Sequence, residues 1–353
     1  MAKIWLDILT PKQFWFFRKV GQLLRKNGHE TIYTFRHYEQ LTPFVEDIKE
    51  ECYVVGEFGG ASLRDKLVKS VERTAELLRV LDRFDCAVSS GSPEAARIAY
   101  GLALPHVLAS DTPESPVNRL AAPVSRKILT PWIVGKTTWR KYCVKDSDII
   151  LYRALDPAAW IKEYQPDEKN LDELGLEKNQ YVLIRSPEYK ASYLRGTNWD
   201  LESYSEFLRK FVEKIRTQTV VLPRYHDETL FLKNKLGGSA LVVEKPVKNH
   251  DLIYFATLFI GGGGTMTQEA ALFGIPCFSI YPERPPLIIR YLIRRKLVLH
   301  VREFDRLLKA ADKIIKQAVN GRDTIRRRAA DLVSRMEDPA ERVAKTVETI
   351  TAG

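Results

Sequence analysis

Cysteine is scarce: four residues in 353, at positions 52, 86, 143 and 277, with no Cys-x-x-Cys pair and no histidine at zinc-finger distance. That excludes a disulfide framework and a thiolate metal cluster, and free thiols are expected. The chain also lacks an apolar run long enough to span a bilayer. Its opening, MAKIWLDILTPKQ, carries charge where a secretory signal would carry an apolar core, so a soluble cytoplasmic protein is expected. RNA-binding and zinc-finger signatures are missing too, so the net charge of +10 points to anionic partners in general and not to nucleic acid.

What the chain does have is apolar material for real cores, 45% hydrophobic against 28% charged, in a length that suits two domains. Short runs rich in Val, Ile and Leu at 3–9, 30–35, 52–55, 86–89, 106–109 and 148–152 read as buried strands. Helical patterns lie between them over 13–27, 62–83 and 93–101, with Gly28 and Gly101 placed as stops. The alternation restarts at 181–185, 219–223, 240–244, 257–261, 276–281 and 297–301, with helices near 201–216, 227–236, 249–256 and 267–273. Strands alternating with helices predict parallel sheets, hence an α/β protein of two Rossmann-like, doubly wound domains. The expected limits are 1–155, a charged, proline-containing connector over 156–178, and 179–353. The helical tail from Arg322 to Thr351 either closes the second domain or crosses back onto the first.

The most informative segment runs from Ile260 to Pro276, IGGGGTMTQEAALFGIP. Gly261 to Gly264 follow an apolar strand and precede a helix, so backbone N–H groups and the positive helix end can receive phosphate oxygens at close approach. Thr265 and Thr267 add hydroxyl donors, and Glu269, about one turn in, is placed to accept from vicinal ribose hydroxyls. Two rival motifs fail. A dinucleotide fingerprint starting at Gly261 needs glycine where Met266 stands, and it belongs after a chain's first strand. A P-loop needs a Lys followed by Ser or Thr after its last glycine, and no Lys follows Gly264.

The segment GGGGTMTQEAALFGIP resembles the corresponding turn of UDP-N-acetylglucosamine 2-epimerases and of the peptidoglycan N-acetylglucosaminyltransferase, both built on the GT-B fold of two facing Rossmann-like domains. Over nearly its whole length the chain is also similar to an uncharacterised family described as glycosyltransferase-like or epimerase-like. That similarity rests on DILTPKQFWFF (7–17), SDTPESPVNRLAAPVSR (110–126), RSPEYKASY (185–193), VVLPRYHDE (220–228) and the glycine segment. The resemblance implies that Gly263, Gly264 and Thr265, with Met266 beside them, face the diphosphate of an NDP-sugar, UDP-linked by the epimerase likeness, while Glu269 faces the ribose. It implies further donor contacts from Arg185, Ser186, Arg224 and His226. The first loop departs from both relatives, because Thr10, Pro11, Lys12 and Gln13 follow Asp7 where the transferase has glycines and a histidine.

Ligands of open parallel sheets lie beyond the carboxyl ends of the strands, so the loops after Leu9, Ala109 and Arg185 are expected to converge on a cleft. Asp111 and Glu114 stand where the epimerases carry a His-x-Glu cluster. A carboxylate there can take a proton from an acceptor hydroxyl, or from carbon in an elimination-type epimerisation, and Asp111 is the preferred base. Its competing role is an Asx turn ahead of Pro113. Asp7, Gln13, Asn118 and Arg119 are assigned to the acceptor side, with a helix cap as the rival role for Asp7. Asp146-Ser147-Asp148 has the DxD form that elsewhere holds a metal, but it precedes an apolar strand, where a solvated turn is expected. Helix dipole and basic side chains can stabilise a departing diphosphate, so neither a metal nor a cofactor is expected.

Two basic, apolar stretches, SRKILTPWIVGKTTWRKY (125–142) and LIIRYLIRRK (287–296), suit a lipid-phosphate acceptor or an anionic membrane surface. The competing role is core packing with the cations reaching out to solvent. The function expected is transfer of a sugar from an NDP-sugar to a lipid-phosphate or glycan acceptor, with a peripheral membrane contact. The alternatives are a 2-epimerase-like nucleotide-sugar epimerase and a noncatalytic nucleotide-sugar binding protein.

Overall fold

The structure, a computed structural model, describes residues 1–60, 62–187, 200–248, 250–316 and 322–352. The chain divides into two compact units, Met1–Trp160 together with Met336–Gly353, and Ile161–Arg335.

Unit 1 opens with β1 (Lys3–Ile8), α1 (Pro11–Lys26), β2 (Glu30–His37), α2 (Thr42–Val45), β3 (Glu51–Glu57) and α3 (Leu63–Val80). It continues through β4 (Cys86–Ser89), α4 (Pro93–Gly101), β5 (His106–Ala109), α5 (Asn118–Ala121), β6 (Lys127–Pro131) and β7 (Ile149–Tyr152). These seven strands form a sheet of order β3-β2-β1-β4-β5-β6-β7 in which every pair is parallel. The winding reverses between β1 and β4, and the crevice at such a switch point is where open α/β sheets bind ligands. Strand β6 is an addition to the sequence expectation. Its Ile128 and Leu129 are fully buried, and the flanking Arg126, Lys127, Lys136 and Arg140 obscure that short core run in the sequence.

Helix α1 shows how local chemistry sets an element. Extended Thr10 is its cap, the hydroxyl accepting from the Gln13 N–H at 3.4 Å, with Pro11 in the first turn and Arg25 and Lys26 in the last. The cap therefore falls on Thr10 and not on Asp7. Phe14, Phe17, Val20 and Leu24 recur at helical spacing and are fully buried, each contributing about 1.5–3 kcal/mol relative to exposure.

Asp7 belongs to the core of unit 1. Arg73 of α3 grips it with two nitrogens, at 2.5 and 3.1 Å, and the Thr34 hydroxyl donates to it at 2.6 Å. The same hydroxyl accepts from the Trp5 indole at 2.7 Å, and Arg73 Nε donates to the Val55 carbonyl at 2.9 Å. Burial opposes ionisation of Asp7, but the Arg73 guanidinium holds its carboxyl below the usual range. An aspartate this enclosed cannot serve an acceptor, so its assignment to that side is corrected.

Unit 2 begins inside α6 (Ala158–Ile161) and continues with β8 (Tyr181–Arg185), α7 (Leu201–Lys214), β9 (Gln218–Leu222), α8 (His226–Leu236), β10 (Leu241–Val242) and α9 (Asp251–Tyr254). Then come β11 (Leu258–Gly261), α10 (Thr265–Leu272), β12 (Cys277–Ser279), α11 (Leu287–Arg294), β13 (Leu299–His300), α12 (Phe304–Lys316) and α13 (Arg322–Ser334). The sheet order β10-β9-β8-β11-β12-β13 repeats the doubly wound pattern, all parallel, with its switch between β8 and β11. Val182, Ile184, Leu208, Val221, Leu258 and Phe278 are among its core residues.

The expected connector is not a free tether. Asp251 accepts from the Tyr164 hydroxyl, from the Asp167 N–H at 2.8 Å and from the Asn170 amide at 2.8 Å, which pins residues 164–170 onto the start of α9. Helix α9 is shorter than the pattern over 249–256 suggests, and Asn249 lies outside the described residues. The tail breaks at Asp338, which caps α14 (Pro339–Thr351) by accepting from the Ala340 and Glu341 N–H groups at 2.8 and 3.3 Å. Helix α14 rejoins unit 1 and packs on α1, where Asn27 donates to Glu348 at 2.6 Å.

Candidate functional site

The two switch points carry most of the residues that the sequence singles out. In unit 2, β11 ends at Gly261 and α10 starts at Thr265 with Gly264 as its cap residue. Gly263 has φ +86°, a conformation open to glycine at little cost, and its N–H donates to the Thr267 hydroxyl at 3.2 Å. Thr267 is buried and braces the turn from behind, so it does not present a hydroxyl outward as its spacing suggested. Gly263 accordingly supplies the bend and not a donor. The N–H groups of Thr265 and Met266, in the first helical turn, have no intrahelical acceptor and project from the positive end of the helix. Among the described residues, a side chain added at Gly264 would meet nothing within 4 Å.

Glu269 lies one turn into α10 and is buried. Its carboxylate is 3.6 Å from His250 Nδ1. Burial pulls the His250 pKa down to about 4, so near neutral pH the imidazole is uncharged and the contact is dipolar, not an ion pair.

Beside the turn, across the switch point, stand the residues that follow β8. Pro187 backs Gly262, its Cα 3.5 Å from where a Cβ there would sit. Arg185 donates through Nη1 to the Pro223 carbonyl at 2.6 Å, while Arg224 donates through Nε to the Ser186 carbonyl at 3.0 Å. The two arginines thus lace the ends of β8 and β9 together and stay half-buried at the carboxyl edge of the sheet. Ser186 is fully buried beneath them. Glu228 accepts from the Arg224 N–H at 2.7 Å, and burial pushes its carboxyl above the usual range. His226 is exposed at the start of α8. The remainder of the RSPEYKASY motif, from Glu188 to Tyr193, lies outside the described residues.

In unit 1 the switch point is bridged by Gln13. Its side-chain oxygen accepts from the Leu9 N–H at 2.7 Å and its amide nitrogen donates to the Ser90 carbonyl at 3.0 Å, joining the loops after β1 and β4. Both ends of the amide are engaged, so Gln13 shapes the site instead of reaching from it. Asp111, just after β5, is nearly enclosed and ion-paired to Lys12 at 2.5 Å. Lys12 also meets Asp156 at 2.7 Å, and Asp156 accepts from the buried Tyr152 hydroxyl at 2.5 Å. Burial opposes the Lys12 charge, yet the two carboxylates hold its pKa above the ordinary value. Burial raises the Asp156 pKa, an effect that Lys12 opposes.

Sequence reasoning missed Lys12, Tyr152 and Asp156 as a unit. Lys12 stood in a segment noted for its departure from the relatives, but a 144-residue separation hides its pairing with Asp156. The other first-domain candidates scatter. Asn118 is fully buried and donates to the Thr112 carbonyl at 2.8 Å, fixing the loop that carries Asp111, while Glu114 and Arg119 are exposed and outside the Lys12 cluster. The DxD carboxylates are neutralised locally, Asp146 by Arg140 and Asp148 by Lys127, each at 2.7 Å. Neither basic stretch is a free amphipathic surface. Ile288, Ile289, Tyr291 and Leu292 of α11 and Trp139 and Tyr142 of the earlier stretch are buried, with Arg294, Arg295 and Lys296 outside. Among the described residues no helix is long and apolar enough to cross a membrane.

Comparison with solved structures gives the fold its name. The chain is similar to the UDP-GlcNAc 2-epimerase of Neisseria meningitidis bound to UDP-GlcNAc, with TM-score 0.72 and 14% identity over 98% of this chain and 100% of that one. It is similar to the UDP-GlcNAc 2-epimerase of Methanocaldococcus jannaschii in complex with UDP-GlcNAc and UDP, with TM-score 0.70 and 14% identity over 98% and 99%. Spinosyn forosaminyltransferase SpnP matches with TM-score 0.62 and 14% identity over the full length of both chains. The architecture is therefore GT-B, two Rossmann-like parallel-sheet units. By sequence, the uncharacterised protein MJ0665 of Methanocaldococcus jannaschii is 25% identical over 318 residues, 86% of this chain and 89% of that protein. With a family model matching residues 2–345, the chain belongs to the family described as protein of unknown function (DUF354).

Proposed function

We propose that this protein is a sugar-modifying enzyme that binds a UDP-linked sugar in unit 2 and transfers the sugar to an acceptor. The observation that carries the reading is the glycine turn at the β8/β11 switch point. It presents free helix-start N–H groups beside two arginines, with a buried carboxylate one turn further in. The amides of Gly264, Thr265 and Met266 suit a diphosphate, and Arg185 and Arg224 add positive charge as UDP departs. Glu269 suits the ribose hydroxyls. This chemistry asks for no metal and no cofactor, because the developing charge falls on fixed donors.

The proton is taken by Asp111. Lys12, held by Asp111 and Asp156 together, keeps the base oriented until the acceptor hydroxyl arrives. The acceptor class is a lipid phosphate or a glycan.

The carboxylate pair also favours a second reading, epimerisation at C2. There one group removes the proton from C2 as the C1–O bond to UDP breaks, and a second group returns a proton to the opposite face of C2 as the retained UDP re-forms its bond to C1. Supplying UDP-GlcNAc without acceptor separates the two: transfer leaves it unchanged until acceptor is added, and epimerisation yields the C2 epimer. A thermal-shift screen with UDP, UDP-GlcNAc and other nucleotides comes first, because a ligand selective for the folded state raises its melting temperature. Absence of stabilisation by every nucleotide and nucleotide sugar would overturn both readings. Selective binding with neither transfer nor epimerisation across an acceptor panel would leave a noncatalytic binding protein.

A further inference from the structure

Arg36 stands one residue from the carboxyl end of β2, half-buried, on the face of the sheet that Thr34 shares. Its Nε is enclosed and has no hydrogen-bond acceptor among the described residues, and no carboxylate of those residues forms an ion pair with it. The two carboxylates whose charge reaches it are engaged elsewhere. Asp7 is held by Arg73 and Thr34, and Glu94 accepts from the Ser70 and Ser92 hydroxyls at 2.6 and 3.0 Å. Burial and the nearby Arg73 charge hold the Arg36 pKa below the ordinary arginine value. Its guanidinium lies over the Phe58 ring, with Cζ 5.0 Å from the centroid, and Tyr38 flanks that ring at 5.3 Å. Such a stack engages the face of the cation and leaves its in-plane N–H donors unused.

We infer that Arg36 receives an anionic group, a carboxylate or a phosphate, carried by the acceptor; the inference rests on the transfer reading above and narrows its acceptor to an acidic one. A planar fork of N–H donors matches the two oxygens of either group, and a site out of bulk water strengthens the match. The backbone beside Arg36 is built irregularly. Between the partners Phe35–Val54 and His37–Glu57, Arg36 alone stands against Val55 and Gly56, a bulge of β3 in which Gly56 takes φ +73°. A Cβ on Gly56 would lie 2.6 Å from the Arg73 side chain, so glycine is what lets the bulge close there. Bulges of this kind re-aim side chains at the rims of sites. Arg73 shows the structural alternative, a buried arginine that has its own carboxylate in Asp7; Arg36 has none. Arg36 and Asp111 stand at the ends of β2 and β5, three steps apart in the order β2-β1-β4-β5, or about 14 Å at roughly 4.8 Å per step. An acceptor that reaches both carries its acid group apart from the accepting hydroxyl.

Ligand-detected NMR on the full chain tests this with glucuronate, glucose 6-phosphate and neutral glucose, in saturating UDP so that the glycine turn is occupied. At least one of the anionic sugars is expected to bind about tenfold or more tighter than glucose, and the tighter of the two tells carboxylate from phosphate. Arg36→Gln is expected to abolish that preference and to leave UDP affinity unchanged. The free Arg36→Gln chain is expected to melt at or above the wild-type temperature, because it loses an enclosed cation that has no acceptor. Equal binding of all three sugars overturns the inference, as does a preference that survives Arg36→Gln. A melting temperature lowered by more than about 5 °C, or a lost circular dichroism spectrum, marks Arg36 as a structural cation and overturns it too. UDP that fails to bind sinks the donor reading, while the comparison of sugars, run without UDP, still decides Arg36.

Discussion

The two switch points present charge in opposite ways. In unit 2 the positive potential comes from backbone dipoles that face outward around a glycine turn, with arginines anchored to carbonyls beside it. In unit 1 the charges are side chains already satisfied by one another, Lys12 between Asp111 and Asp156. The first arrangement turns its dipoles outward, as an anion site requires. The second holds its charges in a nearly closed set, suited to keeping or moving a proton and poorly suited to gripping a large ligand. The proposed function accordingly puts recognition in unit 2 and chemistry in unit 1.

The largest expected effect separates Asp7 from Asp111, two nearly enclosed aspartates at the carboxyl edge of one sheet. Asp7→Asn leaves Arg73 unpaired inside unit 1 and is expected to cost about 3–5 kcal/mol of stability in urea denaturation. Because the folded pKa of Asp7 lies below its ordinary value of 3.8, the stability it contributes is present above that value and is lost as pH falls below it. A cost under about 1 kcal/mol would erase the distinction. Next in size, Glu269→Ala is expected to weaken UDP binding by about 1.5–3 kcal/mol in calorimetry, whereas Asp111→Asn leaves UDP affinity unchanged and abolishes turnover. If both variants weaken UDP equally, the division of labour between the units fails. Gly263→Ala forces a side chain into φ +86° and is expected to lower stability by about 1–2 kcal/mol, seen as an earlier thermal transition. The smallest effect concerns Asp156, whose folded pKa is raised. Its contribution favours the fold at acid pH and declines as pH rises from the ordinary value of 3.8 through the higher folded one, so Asp156→Asn should flatten that decline. An unchanged pH profile would remove Asp156 from the titrating set.

Much of the fold was legible because parallel strands buried on both faces are continuous apolar runs. Strands at 86–89, 106–109 and 181–185 match the sequence pattern residue for residue. What escaped was short or hidden by charge, such as β6, or broken by a cap deep in a polar tail, such as the start of α14 at Asp338. The glycine turn was legible for a different reason. Strand, bend and helix start are contiguous, so local chemistry places the N–H groups. The carboxylate cluster was not, since Asp111 and Asp156 meet only through Lys12 from the opposite end of unit 1, and no spacing rule records a contact of that kind. Thr267 shows the intermediate case: position alone suggested an outward hydroxyl, while the φ of Gly263 turns its N–H back onto that hydroxyl.

The return of α14 to α1 has a consequence for the order in which the molecule is made. Unit 1 is encoded at both ends of the chain, and the whole of unit 2 is translated between its two parts. At about 5–20 residues per second, roughly 10–40 s pass between the synthesis of Trp160 and that of α14. Through that interval Asn27 and the face of α1 that α14 covers remain without their cover on the nascent chain. Unit 2 can therefore complete its core first, and the N-terminal unit, though synthesised earlier, is the last to close.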